Sequence, residues 1–562
     1  MIKSENSFLP NKTELHDLEI LFSKQNYDLL ETKTKFLIEK YPNVSMLYNI
    51  LGVSQSFKKM FKEAVPNFEK AIQLNPKLLD AYSNLGIALK NLGALQKSLD
   101  IFQEALKINP NHHLTNFNLG DVYAKFNEIE KATSFFKKAI DSKSDFNLAY
   151  STYLYFINYS DQYDANFFYN ESLGYRKSIR KLDKNLLAPF QYNKSETKLK
   201  IGFVSSDLRD HPIGYFLYET LKYLKNSNLE LIAYSNLKEE NEDNFTNDLK
   251  FFFSKWHKVK NMNDLELTNL VRDDKINLLI DLSGHSANNR LPIFINKPAP
   301  VQLTWAGYLD TTGLNEIDYI IVDPFVVADQ EQEKLFAEKV WKLPDIWNSF
   351  TKPNYTIEVA TLPAIKNDFI TFGSFNHLNK INNSVIKLWS KLLQKIPKSK
   401  LFLKYRNLNI DYYKNSIINK FHDNGISQDR LILEGSSPRE DLLKTYNKID
   451  ISLDPFPYSG GTTSFESIWM GVPVLVLKGK KFISKCGESI NHNLQMVDWI
   501  AEDEKDFISK AINICSDYKK LSDLRVNLRQ RALNSPVFDA EKFAKNFHDA
   551  LWKMWKIFLK NN

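Results

Sequence analysis

The stretch IDISLDPFPYSGGTTSFESIWMGVPVLVLK, residues 449–478, decides the fold of this chain. An apolar run that closes at Leu453 is followed by a loop rich in proline and glycine, and then by a predicted helix over residues 462–470. Gly471 ends that helix, and residues 474–477 are predicted to form a buried strand. A strand, a loop, a helix and a second strand in this order are typical of a parallel α/β sheet.

The joint between the first strand and the helix has the composition of a phosphate site. Gly460 and Gly461 leave backbone N–H groups open to a ligand, and the positive end of a helix dipole favours an anion. We interpret Thr462 and Thr463 as helix N-caps, and Glu466 as a first-turn carboxylate that accepts hydrogen bonds from a ribose diol. Together these residues predict a binding site for a nucleotide diphosphate. An ordinary capped helix of an α/β domain is the competing interpretation.

The composition of the chain limits the classes of protein to which it can belong. Its 562 residues predict three or four domains, and 74 basic against 67 acidic side chains give a net charge of +7. This mild excess, without a dense basic block, argues against nucleic acid as a partner. Only Cys486 and Cys515 are present, so we expect no disulfide framework, no cysteine metal site and a reducing, cytoplasmic location. We also expect neither a signal peptide nor a membrane span, because no long apolar run occurs.

Residues 1–192 are predicted to form a helical domain, because the N-terminal third repeats itself. Four features recur every 34 residues: Gly52, Gly86 and Gly120; Pro42, Pro76 and Pro110; Phe68, Phe102 and Phe136; and Ala71, Ala105 and Ala139. This period is typical of tetratricopeptide repeats, in which each unit is a pair of antiparallel helices. We predict three units over 46–147, a degenerate unit at 12–45 and capping helices at 148–192. Such a solenoid binds polypeptide segments on its concave face or serves only as a structural arm.

Two α/β domains are predicted to follow, at 193–355 and 356–562. Strand and helix patterns alternate in both, which indicates mostly parallel sheets with ligands beyond the carboxyl ends of the strands. Strands are predicted within residues 199–205, 229–235, 276–290, 299–313 and 317–323 of the first domain, and within 369–389, 400–405, 430–435, 450–454 and 472–478 of the second. The last stretch, 538–560, is predicted to be an amphipathic helix that packs back across the domains rather than onto a membrane.

Loop side chains at the predicted strand ends are further site candidates. His211 and His285 lie at equivalent ends of one predicted sheet, although a lone loop histidine is more often an ordinary surface residue. Lys380, which shares a polar loop with His377, is the candidate second phosphate ligand. A helix end contributes only about 0.3–1 kcal/mol to anion binding, and a lysine adds a charge-assisted hydrogen bond. Solvent exposure is the competing interpretation for Lys380.

These stretches resemble the SPINDLY/O-GlcNAc transferase family of glycosyltransferases. The matching runs, in the order of the family, are IGFVSSDLRDHPIGYF, DLSGHSANNRLPIFINKPAPVQLTWAGYLDTTG, FGSFNHLNKI and LDPFPYSGGTTSFESIWMGVPVLVL. The resemblance implies an α-solenoid of tetratricopeptide repeats followed by an α/β GT-B fold of two Rossmann-like domains. It also implies an inverting, metal-independent transfer of a sugar from a nucleotide donor, with UDP-GlcNAc as first choice, to Ser or Thr of a protein.

The resemblance also implies roles for individual residues. Lys380 matches the lysine that holds the donor diphosphate, His211 matches a histidine considered as a base, and Ser437 to Arg439 match the nucleobase contacts. The predicted catalytic residues are His211, His285 and Lys380; the predicted donor-binding residues are His377, Lys380, Ser437, Arg439, Gly460, Gly461, Thr462, Thr463 and Glu466. The expected partners are a nucleotide sugar and polypeptide acceptors recruited by the repeats, and no metal or other cofactor is expected.

At several positions the sequence differs from the animal members of the family, and these differences leave the identity of the sugar donor undecided. His377 stands where they have Gln, and Gly461 stands where they have His. Plant SPINDLY proteins transfer fucose from a GDP donor, so GDP-fucose is an alternative to UDP-GlcNAc. Two further alternatives are a repeat scaffold with a silent nucleotide-binding domain and a transferase whose acceptor is a polysaccharide or a lipid-linked glycan.

Overall fold

The computed structural model describes residues 9–190 and 192–561. Contacts between residues group the chain into two compact units, residues 1–153 and 154–562. This division lies before the boundary expected at residue 192 from the sequence. Residues 154–192 therefore belong to the same unit as the two α/β lobes.

The first unit is built from helix pairs that follow the 34-residue period. Its helices are α1 (Lys12–Ser23), α2 (Tyr27–Lys40), α3 (Ser45–Phe57), α4 (Phe61–Leu74), α5 (Leu79–Asn91), α6 (Leu95–Ile108), α7 (His113–Lys125) and α8 (Ile129–Ser142), and α9 (Asn147–Ile157) runs across the division along the chain. The recurring glycines permit close packing within each pair. A Cβ atom added to Gly86 would lie only 2.4 Å from the ring of Phe102. Helix pairs are present over the three predicted repeat units, and a further helix pair lies within 12–45, where the degenerate unit was predicted.

The segment from 154 to 192 is less helical than predicted. After α10 (Ala165–Tyr175), the described residues of the segment form short 3-10 turns and no further α-helix, so the prediction of helices up to residue 192 is wrong beyond Tyr175. Side chains of this segment bond to the first α/β lobe. Asn158 donates to the Tyr308 hydroxyl at 3.0 Å, and the guanidinium of Arg176 pairs with the Glu316 carboxylate at 2.8 Å. These contacts explain why the segment belongs to the second unit.

The first lobe is a seven-stranded parallel sheet in the order β3-β2-β1-β4-β5-β6-β7. Its strands are β1 (Leu199–Ser205), β2 (Leu229–Ser235), β3 (Lys255–Lys258), β4 (Leu278–Asp281), β5 (Val301–Thr304), β6 (Tyr319–Val322) and β7 (Lys339–Lys342). Its helices are α11 (Pro212–Lys225), α12 (Asn244–Lys250), α13 (Asp264–Asp273), α14 (Leu291–Phe294) and α15 (Gln330–Glu333). All five predicted strands are present. The two strands that the sequence missed, β3 and β7, are the edges of the sheet, where lysines replace an apolar run.

The second lobe is a six-stranded parallel sheet in the order β10-β9-β8-β11-β12-β13. Its strands are β8 (Thr371–Ser374), β9 (Lys400–Lys404), β10 (Leu431–Glu434), β11 (Ile451–Leu453), β12 (Val474–Leu477) and β13 (Ile500–Ala501). Its helices are α16 (Pro363–Asn367), α17 (Asn383–Lys395), α18 (Asp411–His422), α19 (Arg439–Thr445), α20 (Thr462–Trp469), α21 (Cys486–Asn493), α22 (Glu504–Cys515) and α23 (Tyr518–Leu533). Apart from the two-residue edge strand β13, each strand was predicted from the sequence.

The last helix, α24 (Ala540–Asn561), returns to the first lobe, as its amphipathic pattern predicted. It packs against α11, and the rings of Phe543 and Phe547 lie against the buried Trp305. The two lobes therefore share a closing element that comes from the far end of the chain. Among the helices that the structure describes, none is both long enough and apolar enough to span a bilayer.

Candidate active site

A cavity of about 480 Å³ is lined by residues that follow strands of both sheets. Loops after β1, β4 and β5 of the first lobe meet loops after β8 and β11 of the second, which is where doubly wound sheets bind ligands. Six of the sequence-predicted site residues line this cavity: His211, His377, Lys380, Gly461, Thr462 and Thr463. The other predicted residues, which are His285, Ser437, Arg439, Gly460 and Glu466, are not among the residues that line it.

The topology of the second sheet brings Lys380 to the glycine loop. Lys380 follows β8, the loop follows β11, and these two strands are parallel neighbours, so their carboxyl ends meet at one edge. Nζ of Lys380 donates to the carbonyl oxygen of Ser459 at 2.8 Å and lies 4.2 Å from the centroid of the Tyr458 ring. The side chain is thus directed into the cavity, and the alternative of simple solvent exposure is wrong.

The charge of Lys380 is set by burial and by one carboxylate. Burial lowers the pKa of Lys380, while the charge of Asp454 opposes that shift. Asp454 follows β11 and is buried. Burial also lowers the pKa of Lys297 and of Lys481, so the lowered pKa of Lys380 supports a functional role only together with its position at the wall of the cavity.

The first turn of α20 differs from the sequence prediction in its cap. Gly461, rather than Thr462 or Thr463, is the N-cap, and no side chain caps the helix. The hydroxyl of Thr463 instead donates to Oδ1 of Asn376 at 2.9 Å. A helix start without a side-chain cap leaves N–H groups for an anion, as a phosphate site requires. The N–H of Gly460, however, donates to Oδ1 of Asp454 at 2.6 Å, so Gly460 shapes the loop instead of facing the cavity.

Glu466 does not lie in the first turn, as the sequence suggested. It is the fifth residue of α20, and its Oε1 accepts a hydrogen bond of 2.7 Å from Nη1 of Arg439. The guanidinium carbon of Arg439 lies 3.7 Å from the centroid of the Tyr215 ring, which belongs to the first lobe. Burial raises the pKa of Glu466, and the charge of Arg439 opposes the shift. The residues expected at the nucleoside therefore form a buried ion pair that bridges the lobes.

Ser437 belongs to the loop that precedes Arg439. Its hydroxyl is buried and has no hydrogen-bond partner within the described part of the chain. A buried hydroxyl without a partner costs free energy, which a ligand that supplies the missing bond would recover.

His211 is the N-cap of α11, and this role fixes its ring. Its Nδ1 accepts the N–H of Ile213 at 3.3 Å, and its Nε2 lies 3.8 Å from Oδ1 of Asp207. Burial lowers the pKa of His211, and the charge of Asp207 opposes the shift. A neutral ring whose Nδ1 accepts a hydrogen bond carries its proton on Nε2. In this geometry His211 is a hydrogen-bond donor at the cavity, and a role as general base would first require the cap to break.

His377 has the same arrangement in the second lobe. Its Nδ1 accepts the N–H of Asn379 at 3.1 Å, and burial lowers its pKa to about 3. The imidazole is therefore neutral, and it lines the cavity beside Lys380. It fits a donor-binding role that does not depend on a charged ring.

His285 is not brought to the cavity. The carboxylate of Asp281 accepts the N–H groups of Ser283 and Gly284, and the resulting turn directs His285 inward. The imidazole is 2% exposed and its Nε2 lies 3.0 Å from the carbonyl oxygen of Thr312. The structure thus gives His285 a packing position, and the following residues 286–288 line the cavity instead.

Tyrosines are the part of the site that the sequence analysis missed. Tyr155 and Tyr159 line the cavity although they lie in the stretch assigned to capping helices, and Tyr458 lines it from the glycine loop. The hydroxyl of Tyr159 donates to that of Tyr155 at 3.0 Å, and the rings of Tyr159 and Tyr458 stack at 4.8 Å. The unusually aromatic run TYLYFINYSDQY at 152–163 was the available signal.

Acidic and metal-ligating side chains are sparse around the cavity. Within residues 9–190 and 192–561, no group of three or more His, Cys, Asp or Glu side chains is placed to hold a metal ion. The expectation of a metal-independent reaction remains a prediction.

Comparison with family models finds matches along most of the chain. The model of glycosyl transferase family 41 matches residues 176–351 and 353–547. Models of the tetratricopeptide repeat match residues 47–78, 79–112 and 115–146. The repeats and the α/β lobes therefore each match a known family in the predicted order.

Named relatives match the same region. The chain is 32% identical over 364 residues to a tomato (Solanum lycopersicum) protein named probable UDP-N-acetylglucosamine–peptide N-acetylglucosaminyltransferase SPINDLY, a match that covers 64% of this chain and 39% of that protein. The Arabidopsis thaliana protein of the same name is 32% identical over 368 residues, which cover 65% and 40% of the two chains. The chain spans about two fifths of the length of these relatives.

A solved structure confirms the fold. The chain is similar to a lysine-to-methionine mutant of the Thermobaculum terrenum O-GlcNAc transferase, with a TM-score of 0.82 and 27% identity, and the match covers 92% of this chain and 99% of that one. The two chains therefore share helical repeats followed by two parallel sheets, in the same order. The chain belongs to glycosyl transferase family 41.

Proposed function

We propose that this chain is an inverting, metal-independent glycosyltransferase that moves GlcNAc from UDP-GlcNAc to Ser or Thr hydroxyls of proteins. The observation that carries the proposal is the convergence of Lys380 and the uncapped start of α20 on one cavity. The repeats would recruit the polypeptide acceptor. The named relatives and the similar solved structure support the choice of donor sugar.

In this proposal, hydrogen-bond donors of the protein stabilise the negative charge of the leaving group. When the bond between sugar and diphosphate breaks, negative charge grows on the phosphate oxygen. The ammonium of Lys380 and the N–H groups at the start of α20 are positioned to stabilise that charge, which is where catalysis gains most. His211 would hydrogen-bond to reacting groups through Nε2–H from the opposite lobe. A reducing cytoplasm is the proposed setting, since Cys486 and Cys515 are both free thiols.

The test of donor and acceptor uses the purified full chain with an extract of its own cells. Labelled UDP-GlcNAc and labelled GDP-fucose are supplied separately, with and without EDTA. We expect GlcNAc label on protein, release of the label by β-elimination, a β-linkage from the α-linked donor, and full retention of activity in EDTA. Label from GDP-fucose instead would show that the donor is wrong and the transferase class right.

Other outcomes separate the remaining alternatives. Label in a protease-resistant fraction would identify a polysaccharide or lipid-linked acceptor. Tight binding of a nucleotide sugar without hydrolysis or transfer would identify a silent binding domain. Absence of both binding and turnover would refute the proposal.

Replacement of Lys380 by Met tests the lysine that carries the argument. Lys380→Met keeps the length of the side chain and removes the charge, so we expect transfer to fall by about 100-fold or more, as for other lost donors to a developing anion. Lys387→Met, at an exposed position of α17, is the matched control and should keep wild-type activity. Equal activities of the two variants would contradict the assigned role of Lys380.

A further inference from the structure

Three side chains from distant parts of the chain form a stack at the wall of the cavity. The ring of Tyr159 lies 4.8 Å from that of Tyr458 at an interplanar angle of 28°, which is a stacked arrangement. The ammonium of Lys380 lies over the same Tyr458 ring, 4.2 Å from its centroid. All three residues line the cavity. Tyr458 therefore joins the candidate phosphate ligand to the segment that follows the repeats.

Two neutral groups of the glycine loop hold the Lys380 ammonium. They are the carbonyl oxygen of Ser459, at 2.8 Å, and the ring of Tyr458. A lysine over an aromatic ring is attracted by the negative face of that ring, and the attraction is strongest where water is excluded. Such partners fix the position of the ammonium without neutralising its charge. The charge therefore remains available to an anion such as a diphosphate.

The phenols around this stack are also neutral. Burial raises the pKa of the Tyr155, Tyr159 and Tyr458 phenols above the ordinary tyrosine value. A phenolate at this place would compete with phosphate for the lysine, whereas a neutral phenol does not. Tyr458 therefore acts on Lys380 through the face of its ring and not through a charged oxygen.

Tyr159 has a fixed position. The residue is 3% exposed, and its hydroxyl donates to that of Tyr155 at 3.0 Å. The side-chain amide of Asn382 connects its backbone to the glycine loop, because Nδ2 donates to the carbonyl oxygen of Tyr159 at 3.3 Å and to that of Phe456 at 2.9 Å. Asn382 lies two positions after Lys380. One amide thus joins the three segments from which the stack is built.

We propose that Tyr458 and Tyr159 are positioning residues for Lys380, and that they hold its ammonium at the wall of the cavity where the diphosphate of a nucleotide donor binds. This inference rests on the proposed function, because it concerns the same donor site. Tyr458 holds the ammonium directly, and Tyr159 keeps the ring of Tyr458 in place. Neither tyrosine is required to contact the donor. Without the ring, the ammonium occupies the binding position for a smaller fraction of the time, and the apparent affinity for a diphosphate falls by that fraction.

The first experiment varies the ring at position 458 of the full chain while its shape stays nearly constant. Phenylalanine and its difluorinated and trifluorinated forms are incorporated there, because fluorine withdraws electron density from the face of the ring and weakens its attraction for a cation. Dissociation constants for UDP and for GDP are measured by calorimetry at neutral pH. Neither ligand carries the transferred sugar, so contacts with that sugar do not enter the result. Thermal melts report whether each variant is folded.

We expect Tyr458→Leu to bind nucleotide about tenfold more weakly than the wild type, the effect of losing a desolvated cation–π contact, and Tyr458→Phe to recover most of that loss. Affinity should then fall stepwise with fluorination. Tyr163→Leu is the matched control and should bind as the wild type, because Tyr163 also stacks on a ring, that of Phe167 at 4.7 Å, but is not among the residues that line the cavity.

A flat fluorination series would mean that the ring at position 458 only fills space. If the wild type binds nucleotide and the fluorinated forms bind as well as phenylalanine does, the positioning role is wrong while the proposed function stands. The fluorinated forms keep the size of the ring, so they decide the question even if the leucine variant is unstable.

Two further comparisons test the path through Lys380. Tyr159→Leu removes the stack and should weaken nucleotide binding about threefold to tenfold, whereas Tyr159→Phe keeps the ring and should restore it. In a Lys380→Met background, Tyr458→Leu should have no further effect, since the tyrosine acts through the lysine. An additional loss of affinity in that background would overturn the positioning role. If the wild type binds neither UDP nor GDP, the proposed function is wrong and the positioning role is wrong with it.

Discussion

At the scale of single residues, the cavity histidines show how a local hydrogen bond decides chemistry. His211 and His377 each use Nδ1 to accept the backbone N–H two residues later. Each ring is therefore neutral and presents Nε2–H, although the two come from different lobes. A sequence identifies the histidine but not the nitrogen that remains free, and the nitrogen determines whether the residue gives or takes a proton.

Replacement of His211 by Asn separates its structural role from its chemical one. Asparagine is a good N-cap, so α11 should keep its start, while the imidazole is lost. We expect nucleotide affinity to stay within about threefold of wild type and sugar transfer to fall about 100-fold or more, the usual contribution of a positioned proton-transfer or donor group. Calorimetry and a transfer assay check the two expectations separately.

The control for this variant is His422→Asn, at a position whose side chain is 78% exposed, and it should behave as wild type. A low-pH fall in activity centred at the ordinary histidine pKa of about 6.5 would also contradict the assignment, because burial lowers the pKa of His211 from that value.

The ion pair of Glu466 with Arg439 is an example of a side-chain contact that the sequence could not predict. Thr462 and Thr463, which the sequence proposed as donor-binding residues, line the cavity, since they follow a glycine loop at a strand end. The sequence could not show that Glu466 pairs with Arg439, because the two are 27 positions apart and meet only in the folded chain. The inward position of His285 was also missed, because its Nε2 lies against the carbonyl oxygen of Thr312, 27 positions further along the chain.

At the scale of helices and strands, periodicity predicted most of the fold. The repeat helices, the central strands of both sheets and the final helix all agree with patterns in the sequence. What the patterns missed are edge strands such as Lys255–Lys258, which have one partner and tolerate polar residues. The aromatic stretch around Tyr159 was missed because its role depends on contacts with Tyr458, far along the chain.

At this scale, a substitution can test whether the glycine of each repeat is needed for close packing of the two helices. In Gly86→Ala the new methyl group would overlap the ring of Phe102, whose side chain is fully buried. Overpacking of this kind costs about 1–3 kcal/mol. Hydrogen exchange of the full chain should therefore show faster opening of Leu79–Asn91 and Leu95–Ile108.

A second substitution provides the control. In a Phe102→Ala background the overlap is absent, so the added effect of Gly86→Ala should disappear, and the two changes should be non-additive. Additive effects would mean that the glycine is needed for backbone freedom and not for the approach of the two helices.

At the scale of the whole molecule, the two α/β lobes are held together by contacts that the order of the sequence does not suggest. Ser489 of the second lobe donates to the Asp323 carboxylate of the first at 2.5 Å, and Asn493 donates to the carbonyl oxygen of Asp345 at 3.0 Å. The last helix, α24, then adds an apolar surface to the first lobe. These contacts agree with the single compact unit that residues 154–562 form.

Substitution of Phe547 tests whether the packing of α24 on the first lobe stabilises the active site. The ring of Phe547 is fully buried and lies 4.5 Å from Trp305, and its helix packs against α11, the helix that His211 caps. Phe547→Ala should destabilise this region by about 3–5 kcal/mol, the cost of deleting a buried aromatic ring. Hydrogen exchange should then accelerate in Pro212–Lys225, although the substitution lies more than three hundred positions away in the chain.

The partly exposed Ile557, on the same helix, provides the comparison: Ile557→Ala should leave the exchange of α11 near wild type. If the loss of Phe547 reaches α11, transfer activity should fall together with the protection of that helix, because the cap that orients His211 depends on the first turn of α11. Accelerated exchange confined to α24 would instead show that the final helix covers the first lobe without supporting it, and that the geometry of the cavity is maintained by the sheets alone.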